Sequence, residues 1–166
     1  MSRLSTCLLA LILSLVWLPA TAQQELQITG LTNLDREFMR TQRSRIDELS
    51  RGNLGRQLNG QREHDLAILQ GLLDRRLVRA EQTVELQAMG MVLGDLLAEQ
   101  LGMRWVIYLD KLGRSRALRM PGTDHYLFPV TMISRRAEVG APVDVQAIYS
   151  KAYELMLPHK PKLPFQ

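Results

Sequence analysis

Between Glu81 and Leu101 the chain carries Val84, Ala88, Met89, Val92, Leu93, Leu96, Leu97 and Leu101. At 3.6 residues per turn these residues cover too wide an arc for a helix with one face in water. The segment therefore predicts a central buried helix, around which every other element must pack. Gly90 and Gly94, four apart, fall on one side of it and let another element approach closely. Gly102 ends it as a C-terminal cap.

Directly after Gly102 the period changes from helical to alternating. Met103 to Asp110 is rich in Trp, Val, Ile and Tyr and predicts a strand. Lys111 to Arg114 predicts a hairpin loop, Ser115 to Met120 a second strand, Pro121 to Asp124 a turn, and His125 to Val130 a third strand stopped near Pro129. A four-residue loop pairs Asp110 with Ser115, Tyr108 with Ala117 and Val106 with Arg119, and on the other face Trp105 with Met120 and Ile107 with Leu118. One face then carries Met103, Trp105, Ile107, Leu109, Leu118 and Leu127 and is the core face, with Trp105 buried. The other carries Arg104, Val106, Tyr108, Asp110, Arg119, Tyr126 and Phe128.

Two amphipathic helices precede the central one. The first starts near Thr32 or Asn33, both good caps, and is broken by Arg51-Gly52-Asn53; its stripe includes Leu34, Phe38, Ile46 and Leu49. The second runs from about 54 or 61 to 79, with Arg75, Arg76 and Arg79 in its last turns, where the helix dipole favours cations. Gln23 to Leu31 has no strong period and reads as an extended lead-in. After the strands, a short helix starts at Thr131 or Ser134 and ends at Gly140. Asp144 then caps a last helix that Pro158 ends. The fold class is α+β: a helix-rich single domain of three N-terminal helices, a three-stranded antiparallel meander and two C-terminal helices.

The N-terminus has the three parts of an export signal. Arg3 is a positive start, Leu8 to Leu18 is an apolar core, and Pro19-Ala20-Thr21-Ala22 offers small residues for cleavage before Gln23. The apolar run is about eleven residues, and a membrane-spanning helix needs roughly twenty. The organisation is then a signal peptide over 1–22, one α+β domain over 23–157, and a Pro- and Lys-containing extended tail over 158–166. Cys7, the single cysteine, leaves with the signal. The processed domain must hold together without disulfides. These features predict a periplasmic protein, alternatively a secreted one, with no membrane span after cleavage.

The run from Leu86 to Glu138 carries Leu86-Gln87-Ala88-Met89-Gly90, Leu93-Gly94-Asp95, Gly102-Met103-Arg104-Trp105-Val106, Ala117-Leu118-Arg119 and Phe128-Pro129-Val130-Thr131-Met132-Ile133-Ser134-Arg135-Arg136. It resembles a family of uncharacterised bacterial proteins classed as a domain of unknown function. The resemblance implies a shared fold and an envelope setting, and it brings no catalytic or binding residue with it.

The chain's formal net charge is +4, a mild basic excess. Outside the cytoplasm this points to an envelope protein or an anionic ligand as partner, and away from nucleic acid. The candidate binding residues are Arg104, Tyr108, Arg114, Arg116, Arg119, Tyr126, Arg135 and Arg136. Aromatic and Arg residues recur at binding hot spots, and Arg grips phosphate or carboxylate in bidentate fashion. Two structural alternatives stand beside that reading: a sheet face covered by helices, and a solvated charged surface with local ion pairs. The function expected is a non-catalytic interaction protein of the bacterial cell envelope. The alternative is an envelope hydrolase using Ser134 and His125, for which no Gly-x-Ser-x-Gly elbow is present. Glu63-His64-Asp65 lacks the i, i+4 histidine pair of a zinc helix. No cofactor or metal is expected.

Overall fold

A computed structural model of the chain describes residues 26–161. The expected signal segment, its cleavage point and the end of the tail lie outside the described residues. The elements run β1 (Gln27–Gly30), α1 (Asn33–Leu54), α2 (Arg62–Asp74), α3 (Thr83–Leu101), β2 (Arg104–Asp110), β3 (Gly113–Arg119), β4 (Tyr126–Leu127), a 3-10 turn (Pro129–Thr131), α4 (Ser134–Glu138), α5 (Val145–Met156) and a last 3-10 turn (Leu157–His159). Among the described residues the architecture is α+β, with five helices and one antiparallel sheet of order β1-β2-β3-β4.

The central helix is α3. Met89, Leu93 and Leu97 are fully buried, and one core cluster joins them to Ile46 of α1, Leu69 of α2, Leu118 of β3, Ile133 just before α4, and Tyr149 of α5. The two glycines of α3 let the chain come close. A Cβ on Gly90 would lie 2.5 Å from the Pro129 carbonyl oxygen and 2.6 Å from that of Val130. A Cβ on Gly94 would lie 2.7 Å from Cη2 of Trp105. Gly102 caps the helix at φ 71°, a left-handed conformation that glycine adopts at little cost.

The sheet differs from the expected meander. Gln27–Gly30, expected as an unpaired lead-in, is a fourth strand: it pairs with β2, with Ile28 opposite Tyr108. Four residues are too few to show a period, and it is the open edge of β2, with N–H and C=O groups in need of partners, that organises them. The β2–β3 hairpin turns through Lys111 and Leu112 alone. Trp105 therefore meets Leu118, Val106 meets Ala117, Ile107 meets Arg116, Tyr108 meets Ser115 and Asp110 meets Gly113. Every expected partner is displaced by two residues. The tight turn is held by Leu112 N–H donating to Asp110 Oδ1 at 2.8 Å, with Gly113 at φ 118°. A shift of two preserves the face of each side chain, so Trp105, Ile107, Leu109, Leu118 and Leu127 still share one face. The expected third strand is two residues long, because Pro129 opens a 3-10 turn.

Two helix ends also move. Gly52 and Asn53 do not break α1, which continues to Leu54 and is capped by Gly55 at φ 62°. An internal glycine costs about 1 kcal/mol, and Leu54, packed against the core, offsets it. Helix α2 stops at Asp74, leaving Arg75, Arg76 and Arg79 beyond its end. There Leu77 and Val78 donate N–H bonds back to Leu72 O at 2.9 and 3.1 Å, and Val78 enters the core. Asp144 caps α5 through the Ala147 N–H at 2.8 Å. Trp105 is half-buried rather than buried. Its Nε1 donates to Asp95 Oδ1 at 2.9 Å, and Arg43 of α1 holds the same carboxylate. This bonding fixes the indole at the margin of the core. No described helix is long and apolar enough to cross a membrane.

Candidate functional site

The eight expected binding residues separate into three environments. Arg114 and Arg116 alternate with Leu118 along β3 and so point to the helix-covered face of the sheet. There both donate to Asp35: Arg114 Nη2 at 2.7 Å and Arg116 Nη2 at 3.0 Å. Asp35 is only 3% exposed. It is the third residue of α1 and closes a capping box with Thr32, accepting from the Thr32 N–H at 3.0 Å and its hydroxyl at 2.7 Å. Arg116 also lies over the Phe38 ring, 4.2 Å from its centroid. Burial alone would raise the Asp35 carboxyl. The Arg114 hydrogen bond, the Thr32 donors and the Arg114 charge outweigh it and hold Asp35 well below the usual carboxylate range. Both guanidinium groups thus brace α1 against β3 through Asp35, with Arg114 itself exposed and Arg116 partly covered.

The opposite face of the sheet carries the aromatics. Tyr108 sits edge-on to Tyr126 and to Phe128, with centroids 5.1 and 5.2 Å apart. Arg119 lies 5.7 Å from the Tyr126 centroid and donates to Thr123 O at 2.8 Å and to Asp124 Oδ1 at 3.0 Å. Burial, together with the nearby Asp124 carboxylate, raises the Tyr126 phenol above its ordinary value against the Arg119 charge, so it stays neutral. Arg104 is exposed and lies across from Arg119.

The third environment is a groove of about 420 Å³ between the β4–α4 segment and α5. Arg135 and Arg136 stand on one wall. Tyr126 and Phe128 also line it and, through their contacts with Tyr108, connect the groove to the aromatic face. The α5 wall presents Ile148, Lys151, Ala152 and Leu155. No carboxylate lines it. Among the described residues, Arg135, Arg136 and Lys151 are in no ion pair. Lys151 was not among the expected residues, although its signal was present. It interrupts the apolar stripe Ile148, Ala152 and Leu155 at the i, i+3, i+4, i+7 spacing that puts all four on one face.

The structure places the two residues of the hydrolase alternative in different surroundings. Ser134 is 1% exposed at the start of α4. The His125 ring stacks on His159, centroids 3.5 Å apart and planes 21° from parallel. No hydrogen bond joins Ser134 to His125 among the described residues. In the Glu63-His64-Asp65 triplet, Asp65 is buried and accepts from the Asn59 and Gly60 N–H groups at 3.0 and 2.9 Å. His64 turns to Gln57 O and Arg56. No cluster of three or more metal-ligating side chains occurs among the described residues.

Comparison with known proteins bears on the fold more than on the chemistry. A family model described as a domain of unknown function, DUF3806, matches residues 65–149, a span that includes the Leu86–Glu138 segment. A crystal structure of a protein from Bacteroides thetaiotaomicron is similar with a TM-score of 0.73 at 16% identity, over 81% of this chain and 50% of that one. The chain thus spans half the length of that protein, and the likeness is one of fold. No curated protein matches the chain.

Proposed function

The chain belongs to the DUF3806 family, a domain of unknown function, and we propose that it is a non-catalytic interaction protein that holds an anionic partner in the groove beside α5. The observation that carries this reading is the charge of that groove. Arg135, Arg136 and Lys151 line it, no carboxylate does, and no described acid pairs with them. An anion that enters the groove meets three cations with no described counter-charge, and pairing with them is electrostatically favourable. Tyr126 and Phe128 add aromatic surface against which the non-ionic part of a ligand can rest.

We place its work in the bacterial cell envelope, in the periplasm or secreted, on the strength of Arg3, the apolar run Leu8–Leu18 and the small residues before Gln23. The partner is then an envelope protein or another anionic envelope component. N-terminal sequencing of exported protein should find Gln23 first; an intact Met1 in the exported fraction would sink the export reading.

Binding is tested with sodium tripolyphosphate as a minimal polyanion, followed by amide and side-chain NMR shifts. Shifts should concentrate at Arg135, Arg136 and Lys151 and shrink with added salt. The double substitution Arg135→Gln, Arg136→Gln should flatten them. Equal shifts in the double variant would mean that these arginines are an ordinary solvated surface.

A further inference from the structure

The groove is built for more than an ion. Its α5 wall, Ile148, Lys151, Ala152 and Leu155, extends over two helical turns, about 10 Å at 1.5 Å per residue. Small Ala152 lies within this stripe, where larger side chains flank it. Along the rim, Leu155 is 62% exposed and Phe128 36%. A bare phosphate between the cations would leave both in water. The partner must therefore bring apolar surface about two turns long with negative charge on both flanks, since Arg135 and Arg136 stand on one wall and Lys151 on the other. An amphipathic helix with an apolar i, i+3, i+4, i+7 stripe bordered by Glu or Asp has that form. Resting on the anion-binding reading above, we infer that the groove docks an acidic amphipathic helix of a partner protein. The apolar stripe of that helix lies along Ile148, Ala152 and Leu155, and its carboxylates reach Arg135, Arg136 and Lys151.

Charge complementarity selects this occupant. A basic helix would meet three cations. A neutral apolar helix would bury them without partners, and desolvating an unpaired charge is costly. An anionic membrane would satisfy the cations, but a flat surface does not follow a groove that buried Leu127 and Ala152 also line.

The test uses the isotope-labelled protein and a panel of synthetic peptides of roughly 15 residues, long enough for several helical turns. The panel contains acidic amphipathic sequences, the same compositions shuffled to destroy the stripe, and versions with Lys for Glu. Phosphatidylglycerol vesicles and tripolyphosphate complete the set. Acidic amphipathic peptides should shift Met132, Arg135, Ile148, Lys151 and Leu155, gain helicity on binding, and bind at least about tenfold more tightly than their shuffled forms. Lys151→Glu should weaken acidic peptides and improve the basic ones, a reversal that loss of folding cannot produce. Leu155→Gln, at an exposed position, should weaken the amphipathic peptides and leave tripolyphosphate unchanged. Equal affinity for shuffled peptides, or groove shifts with tripolyphosphate and none of the acidic helices, would overturn the helix partner and leave the anion site standing. Preferential binding to vesicles would overturn it in favour of a membrane. Silence of the groove toward every probe would overturn both.

Discussion

Arg114 and Arg116 on one side, and Arg135 and Arg136 on the other, lie about twenty residues apart, yet they stand in opposite physical situations. The first pair meets a buried carboxylate that already accepts two bonds from Thr32, and Arg116 is further covered by Phe38. The second pair stands on the rim of a groove without a described counter-ion. Arginine is the same cation in both. What differs is whether the fold supplies its anion or leaves that to a partner. In this protein the braces cannot be released without exposing Asp35, whereas the groove cations can change partners at no cost to the core.

The sharpest way to break that comparison is to remove the shared anion. Asp35→Ala deletes a buried carboxylate, leaves Arg114 and Arg116 unpaired and removes half of a capping box. It should destabilise the protein by about 3 kcal/mol, the low end for a broken buried pair because Arg114 can turn to water. Urea unfolding measures this, and a loss below about 1 kcal/mol would make Arg114 and Arg116 ordinary surface charges. The effect should fade in acid. Asp35 titrates lower in the folded than in the unfolded state, so its contribution is complete above the unfolded carboxyl value of 3.8. It is lost as pH falls through the folded value. The stability gap between the natural protein and Asp35→Asn should therefore hold from neutral pH to about pH 5 and narrow below about pH 4.

Next in size is Gly90→Ala. The new Cβ would press on the Pro129 and Val130 carbonyls, which are backbone and cannot swing aside. A cost of about 2 kcal/mol is expected, the overpacking penalty less the helix propensity gained by alanine. Because that backbone leads into the groove wall, tripolyphosphate binding should weaken as well. An unchanged protein would mean that the 129–131 turn can move away from α3.

Single Arg114→Gln and Arg116→Gln substitutions should each cost about 1 kcal/mol, since Asp35 keeps one charged donor and its Thr32 bonds. The smallest effect belongs to the groove: Arg135→Gln and Arg136→Gln should alter stability by less than about 0.5 kcal/mol. If the groove substitutions destabilise as much as those at Arg114 and Arg116, the two pairs are alike and the groove arginines are structural too.

Much of the fold follows from spacing alone. The apolar arc of 84–101 required a buried helix, and the glycines at 90 and 94 marked the side on which the chain packs close. Asp144, Gly102 and Thr32 cap helices as their types suggest, and alternation assigned Trp105, Leu118 and Leu127 to one face. Each of these rests on interactions within a few residues, where backbone geometry gives the distances in advance. One local choice escaped the pattern: the β2–β3 register turned on a bond from Leu112 to Asp110 and the Gly113 conformation, and period-2 alternation cannot tell it from a shift of two. Tertiary structure decided the rest. The strand Gln27–Gly30 exists only because the β2 edge receives it. Asp35 reads in the sequence as a helix-capping residue; that it also neutralises two arginines 79 and 81 positions away depends on the start of α1 packing against β3. Lys151 joins Arg135 and Arg136 only once α5 packs beside β4. Local spacing sets which way a side chain points, and only packing between distant segments sets what it meets there, which here separates a brace from a candidate site.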